Sequence, residues 1–221
     1  MNVIVIAPHM DDEALGCGGT ICKHINRNDV VSVIFVAHRI YNHRFDESKN
    51  TLQMEHANEA KDVLRYKDAF FLDLPDERLD VAVQDIIIPL ENLIDEIKPE
   101  TVYIPFRGDN NQDHRAVFDA LRVVLRPVAT PFIKSVCMYE VPSSTDQSPP
   151  LVENAFLPNY YVDISPFIDR KLMAYKCYKN EKRSLPHPRS EEAIRILASR
   201  RGIESGFNAA ESFMILREKW E

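Results

Sequence analysis

His9, Asp11, Asp12 and Glu13 fall within five residues of one another, and three of the four carry carboxylates. His9 and Asp12 stand three apart across a turn, so an imidazole nitrogen and a carboxylate oxygen can converge on one cation. That donor set suits zinc, for which three protein ligands and an open position make the catalytic arrangement. A third ligand must come from elsewhere in the chain. The same acids could instead simply complement the dipole at a helix N-terminus, so the elements around them have to decide.

An apolar run, Val3-Ile4-Val5-Ile6-Ala7, leads into the cluster and reads as a buried strand. In an open α/β sheet ligands bind at the carboxyl ends of strands, which is where these residues fall. Residues 13–27 follow with Leu15, Ile21, Cys22 and Ile25 at helical spacing. Gly16, Gly18 and Gly19 permit that helix a close approach to the sheet. They lie inside the helix, so they do not form the strand-to-helix turn of a dinucleotide fingerprint. Strands are expected over 30–37, 69–74, 101–106 and 133–140, and helices over 48–64, 83–97 and 114–125. Pro89 should kink or segment the second of these helices. The polar stretch 38–46 reads as a loop. Alternating strands and helices imply right-handed βαβ units, hence a Rossmann-like, mostly parallel α/β sheet with helices on both faces.

Beyond residue 140, Pro142-Ser143-Ser144 and Ser148-Pro149-Pro150 are loop chemistry. A short strand is expected at 160–164, and Ser165-Pro166 opens a helix reaching residue 178. Ser190 caps another helix, ending near 202–206, and 210–216 is extended. No linker marks a second domain. Residues 1–221 therefore read as a single domain, with 1–140 as the βαβ core and 141–221 as an irregular C-terminal extension packed on it.

With 45% hydrophobic and 28% charged residues, the 221-residue chain has the composition of an ordinary soluble globular domain. Its formal charge of −7 argues against a nucleic-acid-binding surface. No signal segment opens it, and no apolar run approaches the ~18 residues of a membrane span. Cys17, Cys22, Cys137 and Cys177 form no C-x-x-C pair and read as free thiols in a reducing compartment. The expected location is cytoplasmic.

The loop after the 101–106 strand delivers Asp113-His114 to the same sheet edge as His9. If that strand neighbours 3–7, His114 is the natural third ligand, and Asp113 can accept a hydrogen bond from a ligand imidazole. His9-Met10-Asp11-Asp12-Glu13, then Gly18-Gly19-Thr20, with Gln112-Asp113-His114-Arg115-Ala116-Val117 downstream, resembles the LmbE-like or PIG-L family of zinc-dependent N-deacetylases. Leu72-Asp73-Leu74-Pro75-Asp76, His187-Pro188-Arg189-Ser190, Arg201-Gly202 and Ala210-Glu211-Ser212-Phe213 extend the resemblance over most of the chain.

The resemblance implies hydrolysis of an N-acyl group, usually acetyl, on an amino sugar or sugar conjugate. It implies His9, Asp12 and His114 as ligands of Zn2+, and Asp11 as general base. The chemistry agrees: zinc polarises an amide carbonyl and lowers the pKa of its water toward ~7. A carboxylate beside a ligand can take that water's proton and pass it to the leaving amine. The family often has a histidine three residues before the final ligand, where this chain has Asn111; Gln53 stands where an arginine is common, and Met10 replaces a proline. The neutral Asn111 amide is expected to point into the pocket and donate to the oxyanion, with His187 the other candidate. An N-formyl or other small amide is the rival substrate class, and a non-catalytic ligand binder the rival function. The expected partner is a small N-acylated amino sugar or conjugate, with no nucleic acid and no membrane span; a homo-oligomer is compatible.

Overall fold

The computed structural model describes residues 1–41 and 43–220. Strand β1 (Asn2–Ala7) sends Val3, Val5 and Ala7 to one face and Ile4 and Ile6 to the other, all fully buried. Helix α1 (Asp12–Asn26), strand β2 (Val30–His38), strands β3 (Ile40–Tyr41) and β4 (Arg44–Phe45), and helix α2 (Glu47–Leu64) follow. Next come β5 (Asp68–Pro75), α3 (Val83–Ile97), β6 (Thr101–Pro105), α4 (Gln112–Val124) and β7 (Ser135–Tyr139). The C-terminal portion adds β8 (Tyr160–Asp163), α5 (Ile168–Cys177), α6 (Glu191–Ser205) and β9 (Ala210–Glu218).

A seven-stranded sheet takes the order β5-β2-β1-β6-β7-β9-β8. The first five of these run parallel. Strand β9 is antiparallel to β7, and β8 to β9, so the C-terminal portion extends the core sheet. The chain steps outward from β1 through β2 to β5, then returns to lay β6 on the other side of β1. The crevice between the carboxyl ends of β1 and β6 is therefore the topological switch point. Helices α1, α2, α5 and α6 cover one face and α3 and α4 the other. No helix among the described residues is long and apolar enough to cross a membrane.

Three local expectations change. The stretch 38–46 is not all loop: β3 and β4 form a hairpin with Ile40 opposite Phe45, a ladder too short to show a period in sequence. Asn42 of that stretch lies outside the described residues. Helix α3 runs unbroken through Pro89, because one missing amide is tolerated while Ile86, Leu90 and Ile94 anchor the buried side. Ser165-Pro166 does not open α5, which starts at Ile168 behind Phe167, because the Ser165 hydroxyl is engaged by Asp163 at 2.5 Å and by the Ala209 amide at 3.1 Å.

Close approach explains the glycines of α1. A Cβ at Gly19 would come within 2.6 Å of Ile164, and one at Gly16 would overlap the Tyr139 ring. That ring cannot swing aside without cost, since its hydroxyl donates to the Ile6 carbonyl at 2.7 Å.

Candidate metal centre and active site

The turn after β1 is held by its own polar groups. The His9 amide donates to Asp12 Oδ2 at 2.9 Å and the Asp11 amide to Glu13 Oε2 at 3.2 Å. Asp11 sits at φ 141°, a conformation that favours glycine and persists in other residues only where the surroundings dictate it. Gln53 on α2 braces the turn from behind, its Nε2 donating to the Met10 carbonyl at 3.3 Å. Across the crevice, Asn111 caps α4: its Oδ1 accepts from the Asp113 amide at 2.8 Å. That start sets Asp113 and His114 in the first turn of α4, beside the end of β1.

His9 Nδ1 lies 3.5 Å and His114 Nε2 3.2 Å from Asp12 Oδ2. One ligand atom from each of His9, Asp12 and His114 lies within 4.8 Å of the others, and all three residues are buried. The far ring nitrogens face carboxylates. His9 Nε2 meets Asp76 Oδ1 at 3.0 Å and Asp113 Oδ2 at 3.1 Å, while His114 Nδ1 is 3.4 Å from Asp109 Oδ2. Backing an imidazole with a carboxylate in this way presents its other nitrogen to a cation.

Asp12 Oδ1 and both ring nitrogens of His114 are buried without a hydrogen-bond partner. A second triple, His9, Asp76 and Asp113, is equally compact. Its oxygens are already used: Asp113 accepts from the Glu77 and Leu79 amides at 2.7 and 3.2 Å, and Asp76 Oδ2 from the Ile40 amide at 3.2 Å. Orphaned atoms in the first set and satisfied ones in the second make His9, Asp12 and His114 the residues that fit a metal ion.

The electrostatics agree. Burial works against charge on both imidazoles, yet Asp113, Asp12 and Asp76 hold His9 well above its ordinary pKa. Burial is likewise outweighed at His114, which the charges of Asp12 and Asp109 push up to about 9. Asp12, though buried, is held well below the usual carboxylate range, chiefly by His114. The cluster is built to hold positive charge. Asp11 behaves oppositely: burial raises it to about 7, against the pull of Arg189 and with a push from Asp12.

Three residues around the centre had no readable role in the sequence. Asp109 accepts from the Asn111 amide at 2.8 Å, the Thr145 hydroxyl at 2.6 Å and the Ser144 hydroxyl. Asp76 backs His9. Arg189 reaches Asp11 Oδ2 with Nη1 at 2.8 Å, while its Nε donates to Ser143 Oγ at 2.6 Å. Asp76 and Arg189 lie in segments that carry the family resemblance, and that was their only signal. His187 is not brought into the cluster: its Nδ1 accepts the Arg189 amide at 3.0 Å and shapes the loop that carries Arg189. A cleft of about 490 Å³ opens beside the centre, with Arg39, Asp76, Asn111, Asp113, Ser144 and Arg189 in its walls.

Fold and site together define a Rossmann-like α/β protein with a buried His/Asp/His cluster at its switch point. The PIG-L family, described as GlcNAc-PI de-N-acetylase, matches residues 4–125, and the chain belongs to this family of deacetylases. A relative from Escherichia coli K12, named uncharacterized deacetylase YaiS, is 25% identical over 153 residues, 65% of this chain and 75% of its own length. The N,N'-diacetylchitobiose deacetylase of Pyrococcus horikoshii superposes with a TM-score of 0.76 at 21% identity, covering 98% of this chain and 84% of that one. The 4-carboxy-2-hydroxymuconate hydratase GalB of Pseudomonas putida KT2440 does so at 0.77 and 19% identity, covering 100% and 98%. The two solved structures share the fold while their reactions differ, so the reaction has to be argued from the site.

Proposed function

We propose that this chain is a zinc-dependent N-deacetylase acting on an N-acetylated amino sugar or sugar conjugate. The observation that carries the reading is the convergence of His9, Asp12 and His114 with orphaned polar atoms, next to a carboxylate, Asp11, outside that set. Zinc in such a site would supply a Lewis acid for the amide carbonyl and an acidified water. Asp11, its pKa lifted by burial to about 7, is matched to take the proton of the attacking water and return it to the departing amine. Arg189 holds Asp11 through Oδ2, which orients the other oxygen for that transfer. The Oδ1 of Asn111 is committed to its cap, so its contribution to the oxyanion comes from Nδ2. Gln53 supports the turn, and His187 supports Arg189.

The cleft offers hydrogen-bonding groups from Arg39, Asn110, Gln112 and Ser143, a lining suited to sugar hydroxyls. The whole chain acts as one domain. Its four free cysteines suit a reducing compartment, which supports a cytoplasmic location.

The test is amine release by the zinc-loaded protein from N-acetylhexosamines, their nucleotide-linked and lipid-linked forms, and N-formyl compounds. Turnover of an N-acetyl sugar is expected, with Asp11→Asn lowering kcat by ~10² or more while zinc stays bound. Faster turnover of N-formyl compounds would move the substrate class. Absence of amine release from every compound, with one zinc bound per chain, would reduce the protein to a binder.

A further inference from the structure

Helix α1 carries Asp12 at one end, and its other half borders a second cavity. Thr20, Lys23, His24 and Arg27 meet Tyr103 of β6 and Tyr160 of β8 around about 240 Å³. At ~1.5 Å per residue, Thr20 lies ~12 Å and Arg27 ~22 Å along the helix from Asp12. The cavity shares no lining residue with the catalytic cleft.

Its deep end holds an unanswered polar group. Thr20 is 1% exposed, and its Oγ1 has no hydrogen-bond partner. A helical threonine ordinarily turns its hydroxyl to a carbonyl one turn back, and a buried hydroxyl left unpaired costs free energy. One wall is aromatic and held in place by its packing. The Tyr103 ring lies 5.0 Å from Phe213, and Tyr160 lies 6.2 Å from the same ring. The Tyr103 hydroxyl is pinned at 2.9 Å by His24 Nε2, whose Nδ1 is in turn 2.8 Å from Asp29. The mouth is cationic: Lys23 spends one donor on the Asp163 carbonyl at 3.0 Å, and Arg27 is exposed beside it. No carboxylate side chain is among the described lining residues. Asp29 is already engaged by His24 and by the N-terminal amine at 3.0 Å.

We infer that this cavity binds a small flat aromatic acid with a hydroxyl opposite its anionic group. The ring lies against Tyr103 and Tyr160, the anion between Lys23 and Arg27, and the far hydroxyl meets Thr20 Oγ1. The volume admits a single ring and falls short of the ~300 Å³ at which pockets for larger ligands begin, which excludes a nucleotide. The inference is independent of the reaction at the metal centre.

The experiment is calorimetric titration of the full chain with 4-hydroxybenzoate, benzoate, 4-hydroxybenzamide and inorganic phosphate. 4-Hydroxybenzoate should bind one per chain, and the neutral amide at least ~10-fold more weakly, the worth of a charge-assisted contact. Arg27→Gln, at an exposed position that leaves folding intact, should weaken 4-hydroxybenzoate ~10-fold. Thr20→Val, of equal size, should erase the advantage of 4-hydroxybenzoate over benzoate. Binding of 4-hydroxybenzoate that Lys23→Gln and Arg27→Gln leave untouched would place it elsewhere, the metal centre included, and overturn the inference. So would phosphate binding as tightly as the aromatic acid, or no binding of 4-hydroxybenzoate at concentrations on the order of 10 mM.

Discussion

Beneath α3 and α4 the sheet meets plain aliphatic packing: Ile86, Leu90, Ile94, Val117 and Leu121 lie over Ile4, Ile6, Ile34 and Ile104. Beneath α1 it meets glycines and buried charge. The Gly19 and Thr20 amides donate to Glu211 at 2.9 and 2.7 Å. Lys171 Nζ bridges Glu211 Oε1 at 2.6 Å and the Leu15 carbonyl at 2.7 Å, and Glu13 accepts the Tyr178 hydroxyl at 2.6 Å. Apolar burial is non-directional and tolerates small shifts. Hydrogen bonds and ion pairs do not, and α1 is the helix that must place Asp11 and Asp12. A buried ion pair adds little net stability over apolar packing, but removing one partner is costly. The α1 face thus uses directional bonds for position, and the α3/α4 face supplies adaptable bulk.

The largest expected effect comes at the centre itself. Asp12→Ala or His114→Ala should lose zinc by elemental analysis and lower kcat/KM by ~10³ or more, as removal of the metal's chemistry does. Leu90→Ala, on the aliphatic face, should leave kcat per folded molecule unchanged. A loss of zinc in Leu90→Ala would break the distinction between the faces.

The next effect separates position from bulk at equal stability cost. Glu211→Ala should destabilise by ~3–5 kcal/mol because it strands Lys171, and Leu90→Ala by ~2–5 kcal/mol through its cavity. Urea denaturation should find the two similar. Zinc titration of the folded fraction should find weakened affinity only in Glu211→Ala.

Asp113 sharpens the comparison because it belongs to α4, a helix of the aliphatic face, yet backs His9. Asp113→Asn should weaken zinc by ~10–100-fold in chelator competition, with kcat at saturating metal changed less. The directional requirement then follows the site rather than the face.

The smallest effect is protonic. Neighbouring carboxylates hold His9 above its ordinary pKa and push His114 up to about 9, so both rings favour the protonated form in the metal-free chain. Zinc binding should displace ring protons, so it should release at least the one on His114 and tighten as pH rises toward about 9. Calorimetry in buffers of different ionisation enthalpy counts them. In the metal-free chain the raised pKa of His114 stabilises the fold fully below ~6.5, and that contribution fades as pH climbs through about 9.

Much of what depends on neighbours along the chain was legible in the sequence, though not the short β3–β4 hairpin. The apolar run of β1, the turn that pairs His9 with Asp12, and the glycines inside α1 are short-range features that local geometry controls. His114 was one step further, since it required β6 beside β1, and βαβ topology supplied that step. Asn111 was half legible: its place three residues before His114 put it at the cleft, whose wall it joins, but that its Oδ1 caps α4 depended on where that helix begins. Arg189 and Asp11 are 178 residues apart, Lys171 and Glu211 40. Their meeting, like the roles of Asp76 and Asp109 behind the two histidines, was decided only by the register and packing of distant elements. A carboxylate's spacing says nothing of its partner when that partner arrives from another strand, because only burial and orientation in the folded chain turn a solvated charge into a positioned one.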